Sequence, residues 1–564
     1  MTFARARSST IYDLLSPPLI LVTPFIDFTQ HNEYGYAAPE FWICVAGLVA
    51  TGFLCGIIMA LGGTWLCVLG TAGLLTVFVD LQFDWLDTTP HLRIPGLLLG
   101  AILLCWLARK HLSRVVTAAF AAMLASTLAL YALGGDPSSS GSARMRAGVD
   151  RAPANGLPTI VHIILDEHLG VEGIPTDVPH GRETKALVKS FFQSHGFRLF
   201  GRAYSRYAAT SNSIPNMLNY TSRPFSSAWT DGDKQLVLRS NKYFDDIHQA
   251  GYKIYAFQIA TLDLCRPSQR IVTRCYTEDH TGMRSLQHTG FSFGDKAVIL
   301  YQFYSRLSII NYALSRLNSR ARAFAERNGW NWPGWWSAGV GMPAVRAMYE
   351  MSIVSNEVAR SQPGDFFFAH LLIPHNPYIY DARCNERNHA DWDQETDDEP
   401  LPPNTVQSRQ RRYALHFEQM RCLYESLGEM FEKWKRLGVF QRSTVIIQGD
   451  HGSRIYLHRP KASNGEQMLL SDYADAFSTL LAVKGPGYEP GYDLRSIAIQ
   501  DVLPQLAIQG QPRQMAQEGS ARLMPISDPA PYVFLEGDGP GPMVKQPLPS
   551  FGDAGRIASH RGPQ

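Results

Sequence analysis

The chain has 564 residues, enough for more than one folding unit, and a formal net charge of +2. A balance this small, with no block of basic residues to offset it, argues against a nucleic-acid partner. Composition is uneven along the chain, because residues 1–134 are far more apolar than the remainder.

Apolar runs near 11–28, 40–60, 64–81, 93–108 and 114–134 each approach the ~20 residues that cross a bilayer. Pro17 and Pro18 interrupt the first, and Pro95 stands at the mouth of the fourth. Arg5 and Arg7 precede the first run, Arg109, Lys110 and Arg114 separate the fourth from the fifth, and Asp80, Asp84 and Asp87 follow the third. This placement predicts a membrane domain over 1–134 with about five transmembrane helices and a cytoplasmic N-terminus, delivering the rest of the chain to the outer side. A cleaved signal peptide fits less well, since further spans follow and no small-residue cleavage site stands out.

Residues 135–157, rich in Gly, Ser, Pro and Ala, read as a flexible linker to a second domain over 158–490. There, short apolar runs at 159–165, 252–257, 366–373 and 444–447 read as strands, and 346–360, 409–437 and 472–482 read as helices. Continuous apolar strands between helices imply a mostly parallel sheet covered on both faces. Residues 491–564, rich in Pro and Gly, read as a partly irregular extension in which 531–535 could pair as an edge strand. Cys265, Cys275, Cys384 and Cys422 lie in the polar part, an even number that could form two disulfides in an oxidising compartment, with Cys265–Cys275 favoured as a pair. Arg306, Arg316, Arg320 and Arg322, with Trp330, Trp332, Trp335 and Trp336, suit either a membrane interface or an ordinary packing patch.

Four segments carry chemistry. The first strand runs straight into Asp166-Glu167-His168, at the edge where open α/β sheets bind ligands, although Asp166 could equally cap a helix. Thr210-Ser-Asn-Ser-Ile-Pro215 puts hydroxyls at a helix start, where backbone N–H groups favour an anion and a hydroxyl could act as nucleophile. A third strand carries His370 within it and His375 just beyond, the latter in a loop fixed by Pro374 and Pro377. The fourth, Thr444-Val-Ile-Ile-Gln-Gly-Asp-His-Gly-Ser-Arg454, ends a strand in Asp450-His451, with Arg454 and His458 in the following loop. Oxygen donors from Asp166, Asp450 and a hydroxyl, with a nitrogen from His451, make a mixed site suited to zinc or manganese rather than calcium.

The order of these motifs resembles the alkaline phosphatase superfamily, and in particular its membrane-anchored sulfatase-like transferases, which include lipid A phosphoethanolamine transferase and lipoteichoic acid synthase. The resemblance spans roughly 158–485. It implies a sulfatase-like α/β domain behind a transmembrane helical bundle, with Thr210 as nucleophile. It also implies a divalent metal held by Asp166 or Glu167 with Thr210, Asp450 and His451. His370, His375, Arg454 and His458 would contact substrate, and Arg454 could pair with a phosphate oxygen or simply form a surface ion pair. The expected reaction moves a phosphoethanolamine- or phosphoglycerol-type head group from a membrane phospholipid to a cell-envelope glycan or lipid, on the outer face of a bacterial-type inner membrane. A sulfatase-like hydrolase is the alternative. Two departures bear on that choice. Met217 stands where the formylglycine motif of sulfatases has Arg, and Ser453-Arg454 follows Asp-His-Gly where the phosphoethanolamine branch has Glu.

Overall fold

The computed structural model describes residues 7–82, 90–134, 146–147, 156–223, 229–232, 235–259, 261–278, 283–305, 342–388, 405–503, 530–537 and 543–550, with scattered positions between 313 and 330 and residue 392. The chain divides into two compact units, residues 1–142, 283–341 and 388–394 in one, and 143–282, 342–387 and 395–564 in the other.

In the first unit, helices form at all five apolar runs: α1 (Arg7–His31), α2 (Pro39–Leu61), α3 (Gly63–Gln82), α4 (Pro90–Leu107) and α5 (Leu112–Gly134). Among the described residues, four stretches are long and apolar enough to cross a membrane, Ile11–His31, Pro39–Leu61, Gly63–Leu81 and Leu112–Leu130. Among the described residues α4 contributes a shorter apolar stretch, Ile94–Leu107. Pro17, Pro18 and Pro24 lie inside α1, which stays helical while packing on α2, α3 and α5. Neighbouring helices compensate for backbone bonds that proline removes. The helix Phe293–Ser305 returns to α2, where Cys44 Sγ donates to the Ala297 carbonyl at 3.4 Å and Tyr304 meets Phe25 edge-on. Of the Arg- and Trp-rich stretch, Arg306, Arg322, Trp332, Trp335 and Trp336 lie outside the described residues. Trp330 is described and packs edge-on against Phe324.

The second unit is built on one nine-stranded sheet. Its strands in chain order are β1 (Arg146–Ala147), β2 (Thr159–Leu165), β3 (Arg198–Tyr204), β4 (Lys253–Ile259), β5 (Val272–Glu278), β6 (Asp365–Leu371), β7 (Ser443–Gly449), β8 (Leu481–Lys484) and β9 (Gly491–Ala498). Across the sheet the order is β1-β5-β4-β6-β2-β7-β8-β3-β9, and all but β1 and β8 run the same way. Five neighbouring strands, β5 to β7, are parallel, as their continuous apolar sequences require. Both β2 and β6 are buried along their whole length. Phe366, Phe368, Ile164 and Ile446 pack into one core, and truncating a phenylalanine there to Ala would cost roughly 3–5 kcal/mol.

The helices that matter for the site are α6 (Gly181–Ser194), α7 (Thr210–Leu218), α8 (Lys242–Gln249), α9 (Pro343–Ala359), α10 (Val406–Arg436) and α11 (Leu470–Phe477). The helix expected over 472–482 is shorter than its apolar pattern suggests. It stops at Phe477, and Leu481–Lys484 becomes β8, antiparallel to β7. Tertiary hydrogen bonds take over there, with Ser205 N–H donating to the Phe477 carbonyl and Thr479 N–H to that of Ala203.

Both cysteine pairs in the polar part are disulfides, Cys265–Cys275 and Cys384–Cys422. Most of 135–157 lies outside the described residues, but Arg146–Ala147 pairs with β5 as an edge strand. In the C-terminal extension Tyr532–Leu535 forms a hairpin with Val544–Pro547, and Val533 and Leu535 bury against Tyr204, Tyr473 and Phe477.

Candidate active site

The register of three adjacent strands assembles the site. In the parallel pairs, Leu165 of β2 lies opposite Leu371 of β6 and Gly449 of β7. The residues just past each strand therefore emerge at one edge of the sheet: Asp166-Glu167 from β2, His375 beyond β6, and Asp450-His451 from β7. His370 enters from within β6, opposite Ile164. Glycine is required at two turns of this edge. A Cβ on Gly449 would stand 2.3 Å from Thr479 Oγ1 and 2.6 Å from the His168 carbonyl, and one on Gly452 would stand 2.3 Å from the Asp475 carbonyl.

Asp166 is the hub. Its Oδ2 lies 3.1 Å from His370 Nε2 and accepts from Thr210 Oγ1 at 3.4 Å, while its Oδ1 is 3.7 Å from His451 Nε2. Burial would raise the Asp166 pKa, but the His370 hydrogen bond and the nearby charges of His375, His451 and His370 outweigh it and hold the group well below the usual carboxylate range. Asp450 Oδ1 accepts the backbone N–H groups of Glu167 (3.3 Å) and His451 (2.9 Å), and its Oδ2 lies 3.3 Å from His451 Nε2.

His451 Nδ1 is 2.9 Å from the Gly452 carbonyl, an obligate acceptor, so this nitrogen carries a proton and Nε2 is the ring atom turned toward the cluster. Thr210 is the first residue of α7, and its Oγ1 sits 3.0 Å from that nitrogen. The hydroxyl is thus held at a helix start, between a carboxylate and an imidazole.

Glu167 forms a second layer. Its backbone is left-handed, φ 62°, a strained conformation for a side chain of this size. That turn lets its carboxylate meet His375 Nε2 at 3.5 Å and Arg454 Nη1 at 3.4 Å, and accept from the Asn376 N–H at 3.4 Å. Burial lowers the His375 pKa, but the charges of Glu167 and Asp166 more than offset this and leave it raised. His375 Nδ1 also bonds the Asn376 carbonyl, so both ring nitrogens face acceptors, as an imidazolium would.

A metal would fit the first layer. Asp166 Oδ1 and Asp450 Oδ2 are both buried and, among the described residues, make no hydrogen bond, although His451 Nε2 lies 3.7 and 3.3 Å away. Unsatisfied buried carboxylate oxygens are costly unless a cation meets them. Asp166, His370 and Asp450 bring ligand atoms within 4.8 Å of one another, as do Asp166, Glu167 and His375, so two candidate groupings share Asp166. Of the residues named from the sequence, the structure brings together Asp166, Glu167, Thr210, His370, His375, Asp450, His451 and Arg454. His458 goes elsewhere, with its Nδ1 2.8 Å from Asp472 Oδ2 at the start of α11.

Sequence reasoning missed the support behind the Asp450–Gly452 turn. Arg409 of α10 donates through Nε (2.9 Å) and Nη2 (3.3 Å) to the buried Asp475 of α11, and Tyr413 bonds both Asp475 and Ser453 Oγ, the latter at 2.8 Å. Burial pushes Asp475 up to about 7 against the pull of Arg409. The same helix fixes the turn through its backbone, Gly452 N–H donating to Ala476 and Arg454 N–H to Asp475. A second missed set, Ser205, Ser213 and Gln500, ties α7 to the turn, with Ser213 Oγ donating to the Asp450 carbonyl at 2.6 Å.

The family model for sulfatases matches residues 158–475, more than half of the chain. The chain belongs to the sulfatase family. The matched span includes strands β2 to β7 of the sheet and the site at their edge, and this is accordingly a sulfatase-family enzyme domain. Similar solved structures include a phosphonate monoester hydrolase from Agrobacterium radiobacter, 12% identical over 67% of this chain and 80% of that one, TM-score 0.40. A second, from Silicibacter pomeroyi, is 13% identical over 69% and 81%, TM-score 0.40. An alkaline phosphatase superfamily protein from Vibrio parahaemolyticus is 12% identical over 71% and 79%, TM-score 0.37. No curated protein matches the sequence.

Proposed function

We propose that this sulfatase-family enzyme transfers a phospho-head-group, of the phosphoethanolamine or phosphoglycerol type, from a membrane phospholipid to an envelope glycan or lipid. The observation that carries this reading is the placement of Thr210, an ordinary hydroxyl that cannot become formylglycine, against Asp166 and His451. In the first half-reaction the Thr210 Oγ–P bond forms as the P–O bond to diacylglycerol breaks, and the hydroxyl proton ends on the released diacylglycerol. In the second, an acceptor hydroxyl forms its own bond to phosphorus, the Oγ–P bond breaks, and its proton returns to Thr210.

Asp166, Asp450, His451 and Thr210 would hold the metal, with Glu167 as the neighbouring carboxylate, and the mixed donor set suits zinc or manganese. A metal bound there supplies Lewis acidity, lowering the pKa of the Thr210 hydroxyl and offsetting charge on the ester oxygens. The chain's own contribution is positional. Glu167 orients His375 and Arg454, two cationic groups suited to ester oxygens, while α7 directs backbone N–H groups toward the same place.

Membrane anchoring by the N-terminal helices supports a lipid donor. The two disulfides support an oxidising outer compartment, as on the outer face of a bacterial-type inner membrane. Family membership favours a second reading, hydrolysis of a sulfate or phosphate ester with water as acceptor. Mass spectrometry of the Thr210 peptide after incubation with phospholipid separates the two. Transfer predicts an adduct with the mass of the head-group phosphoester that vanishes when acceptor is added. Free phosphate or sulfate from soluble esters, with no adduct from lipid, overturns it.

A further inference from the structure

Beside α7 lies a cavity of about 590 Å³, within the roughly 300–1,000 Å³ of small-molecule sites and larger than a phosphate or sulfate alone requires. Helix α7 contributes positions 211, 212, 215 and 216 and its C-cap position 219, one continuous face, so the cavity begins one residue from Thr210. Across from it stand Arg223, Arg239 and, on α8, Lys242, Asp245 and Gln249.

Part of this wall is already committed. Lys242 is paired with Asp246 at 2.9 Å, Asn216 Oδ1 accepts from Thr221 Oγ1 and Arg223 N–H, and Asn219 binds Ser240. These bonds stiffen the cavity rather than fill it. Asn212 is different. It is 7% exposed, lines the cavity, and its Oδ1 has no hydrogen-bond partner among the described residues. A buried amide oxygen left unpaired costs about 1–3 kcal/mol, which a donor on a ligand would recover.

The wall's chemistry narrows the ligand. Apart from Pro215 its side chains are amides, hydroxyls, guanidinium groups, an ammonium and carboxylates, with three cationic groups facing two acidic ones. Among the described lining residues Pro215 is the one apolar side chain, and a strongly anionic ligand meets Asp245 and Asp246. Planar amide, guanidinium and carboxylate groups around a desolvated acceptor suit adjacent hydroxyls, each of which both donates and accepts. We infer that this cavity is a subsite for the sugar portion of a glycan, neutral or weakly charged, seated next to Thr210. The inference rests on the proposed role of Thr210 only for what the bound sugar would do.

The test uses the full-length protein in detergent with Thr210→Ala, so that a bound ligand is not turned over. It is applied to a printed array of neutral, carboxylated and sulfated oligosaccharides. A subset should bind, and the tightest should weaken tenfold or more in Asn212→Leu and in Arg223→Leu, both checked for folding by thermal unfolding. Arg223 lies on an exposed loop, so its variant carries the test if Asn212→Leu does not fold. Formation of the head-group adduct on Thr210 from phospholipid, in the protein with Thr210 intact, reports separately on the reaction. The adduct without binding to any oligosaccharide overturns the subsite and leaves the reaction standing. Binding that both variants lose, with no adduct from lipid, upholds the subsite and counts against the reaction. Binding unchanged in both variants places the glycan elsewhere and overturns the inference.

Discussion

Thr210 Oγ1 lies 3.0 Å from His451 Nε2, although 241 residues separate the two in sequence. The contact exists because α7 begins where β7 ends, and because the Gly452 carbonyl fixes the proton of His451 on its other nitrogen. Thr210→Ala should therefore lower turnover by 10³-fold or more, whereas Thr210→Ser should keep measurable activity. Steady-state turnover with an aryl ester, alongside thermal unfolding to show that both variants fold, checks this. Full activity in Thr210→Ala would shift the nucleophile to Ser211 or Ser213.

Metal dependence follows from the orphaned oxygens of Asp166 and Asp450. Chelation should abolish activity, and zinc or manganese should restore it. Asp450→Asn should reduce bound metal well below one equivalent, since it replaces a charged donor whose other oxygen is already committed to two backbone N–H groups. Elemental analysis of the purified protein measures this, and undiminished metal in Asp450→Asn would place the ion elsewhere.

Arg409 and Asp475 form a buried pair behind the metal-site turn. Removing one partner of such a pair costs about 3–5 kcal/mol, because the other charge is left without compensation. Arg409→Met should thus lower the thermal midpoint and, through Asp475 and Ser453, loosen the turn that carries His451. A double variant, Arg409→Met with Asp475→Leu, should recover part of the stability. Denaturation of the three proteins reports the coupling, and additive losses would show that the pair does not act as a unit.

The disulfide Cys384–Cys422 ties the loop beyond His375 to α10. With its cysteines 38 positions apart, it should contribute about 3–4 kcal/mol by restricting the unfolded chain. Cys422→Ser should lower the thermal midpoint and make residues 373–388 more open to proteolysis. Unchanged protection there would mean that the loop holds without the disulfide.

The parts of this fold that could be read from sequence are those fixed by local pattern. β2, β6 and β7 are near-continuous apolar runs, and such runs end at the sheet edge where ligands sit, so Asp166, His370, Asp450 and His451 stand out from the residues alone. β3 and β9 escaped because Arg198, Arg202, Asp493 and Arg495 break their apolar pattern, and their ion pairs become visible only once the strands are adjacent. β8 reads as the end of a helix because an apolar run has no period that separates the two. His458 shows the same limit at the site. Its place in the loop suggested a substrate contact, yet Asp472, fourteen residues on, pairs with the ring. Asp475, Arg409 and Tyr413 could not be found at all, since their meaning lies in pairings across more than sixty residues.

Asp493 gives a pH dependence with a definite sign. Burial opposes its ionisation, but hydrogen bonds from the Arg495 side chain and backbone and from Arg198 hold its pKa down to about 2 from the ordinary 3.8. A folded-state pKa below the unfolded one means that the unfolded chain takes up the proton more readily as pH falls. The stabilisation is therefore fully present above pH ~4 and is lost progressively as the pH drops toward about 2. Asp493→Asn should remove it at neutral pH, lowering stability there while leaving the most acidic end of the profile unchanged. Since Asp493 joins the strand pair β3–β9 rather than the site, turnover at neutral pH should change far less than the thermal midpoint. Midpoints measured between pH 2 and 7 for both proteins decide it, because parallel curves across that range would show that Asp493 does not carry the acid-linked term.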